Sequence, residues 1–472
     1  MNILLCLLCL SAVEAAPFIT KWNTSHTNDE LIDDGHYCIR YDISPSNEIV
    51  LGLVWGGVYD FTIDWGDGTT EHITEWDQGS HVYAEEGVYE VTMEGVFEAW
   101  GPDGEHHWDA IKLDEISQWG TFKMSENGGW FQSCANLEVT ATDAPDLTAV
   151  TDYRYAFMCS GITNPDFTAW DVSRATNFMS MFDACYNFDG DISTWDTSSV
   201  TSFHHMFYRD YALNSDLSNW DVSSVTSLDY TFDNCQLFNS DISGWDVSNM
   251  ETLQRTFGWG HSFTQDLGSW DVSSVTNLYG SFQYALVFDR DLSSWDVSNV
   301  VKMEYTFGWA SSYSQDLSAW DTSATTNMQY MLTGADSFDH DISNWDTGSV
   351  TDMTGMFQWN DAFDQDLREW NTTSLEQCDS FWNPGCNPAG VVVLGCVDHC
   401  CPDQVKHSNY ALQDSLVGSL NEVVDVVCDE GYVGGGDALC SNITGHFTYI
   451  PCEGKSVIII CILILSKSIL NM

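Results

Sequence analysis

Lysine and arginine are scarce: 14 of them stand against 70 aspartate and glutamate residues in a chain of 472, a formal charge of −56 at pH 7. So acidic a chain repels phosphate backbones and anionic head groups, which argues against nucleic acid as a partner and favours basic ligands and divalent cations. A bilayer-spanning run is also missing. The apolar stretch from Val457 to Leu465 is shorter than the roughly 17 residues a spanning helix needs. No GxSxG, HExxH, phosphate-loop or dinucleotide pattern occurs, so no catalytic residue is assigned and the chain is read as non-enzymatic. Carboxylates abound, as in a carbohydrate hydrolase. However, an acid and a base need environments that separate their pKa values, and repeated columns supply identical ones.

Export signals are present. An apolar run from Ile3 to Leu10 reaches small residues at Ala15 and Ala16, so residues 1–16 read as a secretory signal. Sixteen cysteines suit an oxidising compartment, and Asn23, Asn371 and Asn442 stand in glycosylation sequons. The expected location is secreted or cell-surface.

The dominant feature is a repeat. Trp170, Trp195, Trp220, Trp245, Trp270, Trp295, Trp320, Trp345 and Trp370 each follow the last by 25 residues. Phe182, Phe207, Phe232, Phe257, Phe282, Phe307 and Phe357 lie twelve residues after a tryptophan, with Leu332 and Trp382 in that place in two units. Leu267, Trp270, Val272 and Val275 illustrate a unit L-x-x-W-x-V-x-x-V, the apolar spacing of leucine-rich repeats. Trp and Val two apart share a strand face, which predicts a parallel ladder through W-x-V with both side chains inward. The competing register places the strand on the preceding Asp-Ile/Leu-Ser and exchanges the faces. Leu278 and Phe282, four apart, predict a helical or 3₁₀ turn on the far side of each coil. One coil cannot bury its Trp and Phe, whereas stacked coils can, so these aromatics are read as core rather than as a sugar-stacking box. The fold class is therefore mainly β: a parallel, leucine-rich-repeat-like solenoid of about 10 or 11 coils over residues 111–385, with an antiparallel β-sandwich at 17–110 and a small disulfide-rich module at 396–454. Cys134 and Cys159, also 25 apart, would lie above one another on neighbouring coils and either form a disulfide or remain a buried thiol pair.

Phe238, Asp241, Ile242, Ser243, Trp245, Asp246, Val247 and Ser248 match the tandem repeat of BspA-like surface proteins, and the chain resembles that family from roughly residue 50 to 375. The resemblance implies a surface-displayed, adhesin-like protein and says little about its ligand. Upstream, Phe61, Ile63 and Trp65 would face one way in an antiparallel strand pair closed by a Gly-Asp-Gly turn. Trp65, Gly66, Asp67, Gly68, Thr69, His81, Tyr83, Gly87 and Tyr89 resemble the polycystic-kidney-disease (PKD) type sandwich, which implies a spacer in which Asp67 is a turn residue. Downstream, Cys401, Cys428, Cys440 and Cys452 resemble a sushi, or complement-control, module, which implies Cys401–Cys440 and Cys428–Cys452 pairs. Cys378, Cys386, Cys396 and Cys400 are an even number that could staple the end of the repeats. The tail at 455–472 is a candidate membrane anchor or removed anchor signal.

An acidic stripe is expected from Asp171, Asp196, Asp221, Asp246, Asp271, Asp296, Asp321 and Asp346, each next to its tryptophan and pointing away from it. At about 4.8 Å spacing each neighbouring pair repels by roughly 0.9 kcal/mol even in water, about 6 kcal/mol over the row. Two devices could offset this. Either the serine two residues on bonds each carboxylate, or Ca²⁺ bridges them, so these aspartates are candidate metal ligands although no cofactor is required. The function expected is binding to a protein or glycan on a cell surface or matrix through the repeat face. A structural wall or coat component is the alternative reading.

Overall fold

The computed structural model describes residues 16–27, 38, 43–101, 108–126, 128–378 and 380–381, and the backbone alone of 423–427, 435–441 and 446–448. The protein is mainly β, and among the described residues the only helices are two three-residue 3₁₀ turns, Trp76–Gln78 and Ala110–Lys112. Two compact units divide the chain between Ser224 and Val225.

The first unit opens with a six-stranded sheet of order β4-β3-β6-β1-β7-β8. Its strands are β1 (Phe18–Asn23), β3 (Tyr59–Asp64), β4 (Thr70–Ile73), β6 (Val88–Phe97), β7 (Leu113–Gln118) and β8 (Glu138–Val139), and β2 (Glu48–Val50) pairs separately with β5 (Ser80–Val82). Burial along β3 alternates strictly, with Phe61 and Ile63 inside, as the period of two requires. Neighbours in the sheet are antiparallel except at one place. β7 pairs antiparallel with β1 and parallel with β8, so one strand serves both the N-terminal sheet and the first repeat units. The joint is aromatic: Phe18 stacks on Phe122 at 4.5 Å, and Trp119 meets Trp170 edge-on at 5.6 Å. A buried ion pair ties the loops together. Lys112 Nζ lies 3.4 Å from Asp109 Oδ2 and donates to Ser44 Oγ (2.7 Å) and to the carbonyls of Ser44, Pro45 and Glu48 (3.0 Å each), while Asp109 accepts from the Ser44 and Val50 amides. Such satisfaction is what a desolvated charge pair needs.

In both units the 25-residue period is a hydrogen-bonding period. Parallel bridges join Asp152, Asn177 and Ser202 in the first unit, and Ser227, Thr252, Asn277, Lys302, Asn327, Asp352 and Gln377 in the second. From Leu278 onward, alternate amides reach the next repeat: Leu278 to Lys302 O, Gly280 to Glu304 O, Phe282 to Thr306 O and Tyr284 to Gly308 O, all within 2.8–2.9 Å. The amides between them, of Ser281, Gln283 and Ala285, close turns onto Leu278, Gly280 and Phe282. The Tyr279 amide donates to Asn277 Oδ1, so every amide from Leu278 to Ala285 is used. The first and last of these three turns have a left-handed third residue, the mark of a type II turn, with positive φ at Gly280 and Tyr284 here, and at Tyr305 and Trp309, and Tyr330 and Gly334, in the next two repeats.

Inside, the columns stack. Trp245 lies on Trp270 at 6.5 Å and 6°, Phe232 on Phe257 at 5.9 Å and 2°, and the Trp270 indole donates to Ile242 O at 3.2 Å. Trp270 and Val272 are buried as the pattern requires.

Three expectations are corrected. The inter-repeat ladder does not run through W-x-V but begins seven residues after the tryptophan, at Asn277. The Trp270 amide bonds Leu267 O and the Val275 amide bonds Val272 O, so W-x-V is spent on local turns and cannot also pair as a strand. The expected helical turn at Leu278–Phe282 is instead the run of turns just described, because its alternate amides are claimed by the next repeat. Finally, Cys159 is not bonded to Cys134. It joins Cys38 at a Cα separation of 5.6 Å, and Cys134 is a buried thiol, as are Cys185 and Cys235. The first interval, from Ser133 to Cys159, is one residue longer than the 25 of the others. Ser133, not Cys134, holds the left-handed position that Cys159 holds one repeat later, so Cys134 turns inward while Cys159 turns outward.

Beyond residue 381 the backbone shows β9 (Val423–Val427), β10 (Gly435–Ser441) and β11 (His446–Thr448) in one antiparallel sheet. The expected pairs Cys401–Cys440 and Cys428–Cys452, like Asn442 and the tail at 455–472, lie outside the residues whose side chains are described. Cys378 is disulfide-bonded.

Candidate functional site

Two surfaces of the repeats carry polar chemistry. The first is acidic. Asp171, Asp246 and Asp271 are exposed, and each accepts from the amide and the hydroxyl of the serine two residues on: Asp271 Oδ1 lies 3.1 Å from Ser273 N and 2.6 Å from its Oγ. Asp196 binds Ser198 in the same way, Asp221 binds Ser223, Asp296 the Ser298 amide, Asp321 the Ser323 amide and Asp346 the Gly348 amide. A second row, missed by the sequence reading, runs five residues earlier. Asp241 binds Ser243 and Asp291 binds Ser293 in the same geometry. The serine hydroxyls hold Asp171, Asp246 and Asp271 below the usual carboxylate range, with the Asp246 charge pushing Asp271 slightly back up. These local bonds are the first of the two offsets expected for a charged row. Among the described residues no group of three or more His, Cys, Asp or Glu is placed to hold a metal ion. Asn371 takes the aspartate's place in its repeat and binds Thr373 equally, and Asn23 binds Ser25.

The second surface lies along the turn ladder of the second unit. The left-handed positions carry Tyr230, Arg255, Gly280, Tyr305, Tyr330 and Gly355 in one column, and Asn234, Trp259, Tyr284, Trp309, Gly334 and Trp359 in another. These side chains are half-buried or exposed, Trp359 by 47%. They pack along the repeats: Trp259 stacks on Tyr284 at 3.9 Å, Tyr284 on Trp309 at 6.0 Å, and Tyr305 on Tyr330 at 4.8 Å. Glycine makes room for some of the rings. A Cβ on Gly334 would meet the Trp309 ring at 2.3 Å, and one on Gly355 would meet the Tyr330 ring at 2.2 Å. Amides run alongside: Asn277 donates to Gln254 at 3.0 Å, Gln254 to the Tyr230 hydroxyl at 2.8 Å, and Gln329 to Asp352 at 2.9 Å. Arg255 pairs with Asp233 at 2.8 Å and lies 5.7 Å from the centre of the Tyr230 ring.

The segments 122–239, 210–318 and 302–385 each match the family described as "Mycoplasma protein of unknown function, DUF285", and together they span more than half of the chain. The chain belongs to the DUF285 family. No curated protein and no solved structure matches it. DUF285 membership therefore accounts for the repeats and assigns no ligand.

The aromatic face had a signal in the sequence. One column alternates Tyr with Gly and Arg, another Trp and Tyr with Gly and Asn, and glycine recurring beside aromatics at a fixed place marks a left-handed backbone. Apolar periodicity could not reveal it, because the period that places Phe282 inside says nothing of the residues on either side.

Proposed function

We propose that this chain is a secreted or cell-surface, non-enzymatic binding protein in which the repeats at 111–385 form a parallel, leucine-rich-repeat-like solenoid that displays a recognition face. In this reading the N-terminal sheets are a PKD-like spacer, residues 396–454 a sushi-like module, and the tail at 455–472 an attachment signal. The observation that carries it is the set of seven tyrosines and tryptophans at the left-handed positions of the turn ladder, from Tyr230 to Trp359, which the packing of the core does not require. Half-exposed aromatics gathered on one face are the composition of binding surfaces rather than of inert coats. Membership of a repeat family and the Cys38–Cys159 disulfide agree with display in an oxidising compartment. The aspartate rows need no cofactor, since each carboxylate is held by its own turn, and Ca²⁺ would add to binding only as a bridge to a ligand. The experiment is adsorption of the purified full chain to cells, matrix proteins and arrayed glycans. Saturable binding to one class supports a recognition role, whereas self-assembly into sheets or fibres with no such binding supports a coat component.

A further inference from the structure

One position breaks the pattern of the first aspartate row. Eight successive repeats place aspartate beside the buried tryptophan, from Asp171 to Asp346, and the ninth places Asn371 there. The turn does not require the change. Asn371 Oδ1 accepts from the Thr373 amide at 3.1 Å and from its Oγ1 at 2.8 Å, the same two bonds that Asp271 Oδ1 accepts from Ser273. One oxygen suffices for an Asx-type turn, so the remaining atom of the side chain, an oxygen in aspartate and Nδ2 in asparagine, is left over.

That nitrogen is at the surface and holds nothing together. Asn371 is exposed, and among the described residues its hydrogen bonds run only through Oδ1 and through the main-chain carbonyl, which accepts from Thr347 Oγ1 at 3.0 Å. The backbone around it is fixed by other groups: Ser374 Oγ donates to Gly348 O at 2.7 Å, and the Leu375 amide to Thr372 O at 3.2 Å. The neighbouring repeat also gives room. Gly348 stands where the seven earlier repeats have serine, and a Cβ built there would crowd Nδ2 at 3.0 Å.

An exposed amide nitrogen two residues before a threonine hydroxyl, with a residue other than proline between them, is the acceptor pattern for oligosaccharide in exported chains. We propose that Asn371 carries an N-linked oligosaccharide, received from a lipid-pyrophosphate donor in the secretory compartment. Nδ2 forms a bond to C1 of the first sugar as the bond from C1 to the phosphate oxygen breaks. The lipid pyrophosphate leaves with that electron pair, and one Nδ2 proton passes to a base of the transferase. This rests on the reading of the chain as exported and goes beyond it by naming the residue modified. Asn23 meets the same sequence pattern and bonds Ser25 alike, but it is half-buried at the end of β1, where it pairs with Val88. At Asn371 the sugar ends a charged row with a neutral, hydrated group.

The test is secretion of the full chain from insect cells, then peptide mass spectrometry after enzymatic release of glycans in ¹⁸O-labelled water, which leaves a mass label on every asparagine that carried sugar. Label at residue 371 in most secreted chains is expected, lost in Asn371→Asp and in Thr373→Val and kept in Thr373→Ser. Asn371→Asp restores the residue of eight other repeats, so its fold is secure. Because Nδ2 makes no bond, the glycosylated parent and Asn371→Asp should melt within about 2 °C of each other, and release should go to completion on the native chain. A secreted chain without label at residue 371, or with label only at Asn23 or Asn442, overturns the site while export stands. Label that survives Thr373→Val overturns it too, as does a glycan released only after denaturation. A chain that is neither exported nor glycosylated removes both readings.

Discussion

Asp210 offers a sharp test of how the repeats tolerate polarity. It occupies the inward column held by Ser160 and Cys185 in the two preceding repeats, and it is fully buried. One oxygen accepts from the Ala212 amide at 3.3 Å, and Oδ2 has no partner. Burial pushes its pKa well above the ordinary 3.8, helped by the nearby charge of Asp189. A folded pKa above the unfolded value means that the stabilising contribution is complete below pH 3.8 and is lost as pH rises through the folded pKa. Asn360 stands in the same column of its own repeat. Its Oδ1 accepts from Ala362 and Phe363 at 3.2 and 3.1 Å, and its Nδ2 donates to Phe338 O at 3.5 Å. Asp210→Asn should therefore keep the turn, remove the ionisable group and stabilise the protein near neutral pH by about 1–3 kcal/mol, the usual cost of an unsatisfied buried group. At roughly 2–4 °C per kcal/mol for a unit of this size, the melting midpoint should rise by about 2–12 °C. Urea or thermal melts of parent and variant at about pH 7 and about pH 3.5 measure it, because near the acid end the advantage should vanish. A variant no more stable than the parent at neutral pH, or an advantage that does not shrink on acidification, would refute the argument.

Further outcomes follow from the same packing. Trp270→Ala should cost about 3–5 kcal/mol in denaturant unfolding, since it removes a buried ring and its bond to Ile242 O. Lys112→Met should cost about 3–5 kcal/mol by leaving Asp109 buried beside lost donors, and adding Asp109→Leu should recover most of it in the same assay. Asp171, Asp246 and Asp271 have pKa values lowered by their serines, so their contribution is present above pH 3.8 and falls away as pH drops through the lowered values. Ser273→Ala should raise the Asp271 pKa toward its ordinary value, which carboxylate NMR titration reads directly. Because each row aspartate already has hydrogen-bond donors, a chelator should leave the melting midpoint where it is, and a drop on chelation would restore a bridging role for Ca²⁺.

The repeat, its phase and its buried columns were legible in the amino acids alone. Trp, Phe and Leu recurring every 25 residues must be hidden, and only stacking neighbours against neighbours hides them all. The serine after all but one of the row aspartates, Asp346 being followed by Gly348, also spoke for itself, because an Asx-type turn is a contact between residues two apart. What the tertiary structure decided was every relation in which a single residue matters. Hydrophobic periodicity constrains which side chains are buried but not which amides pair, so W-x-V could be placed inside correctly while the ladder lay seven residues further on. One extra residue in the first interval turned Cys134 inward and Cys159 outward, where it reached Cys38, 121 residues earlier in the chain. Lys112 found its carbonyl acceptors at Ser44, Pro45 and Glu48, residues that no local pattern connects to it. The aromatic face arose in the same way. Left-handed backbone at Tyr284, Tyr305 and Trp309, imposed by turns that give their alternate amides to the next repeat, carries those rings out of the core and lines them up.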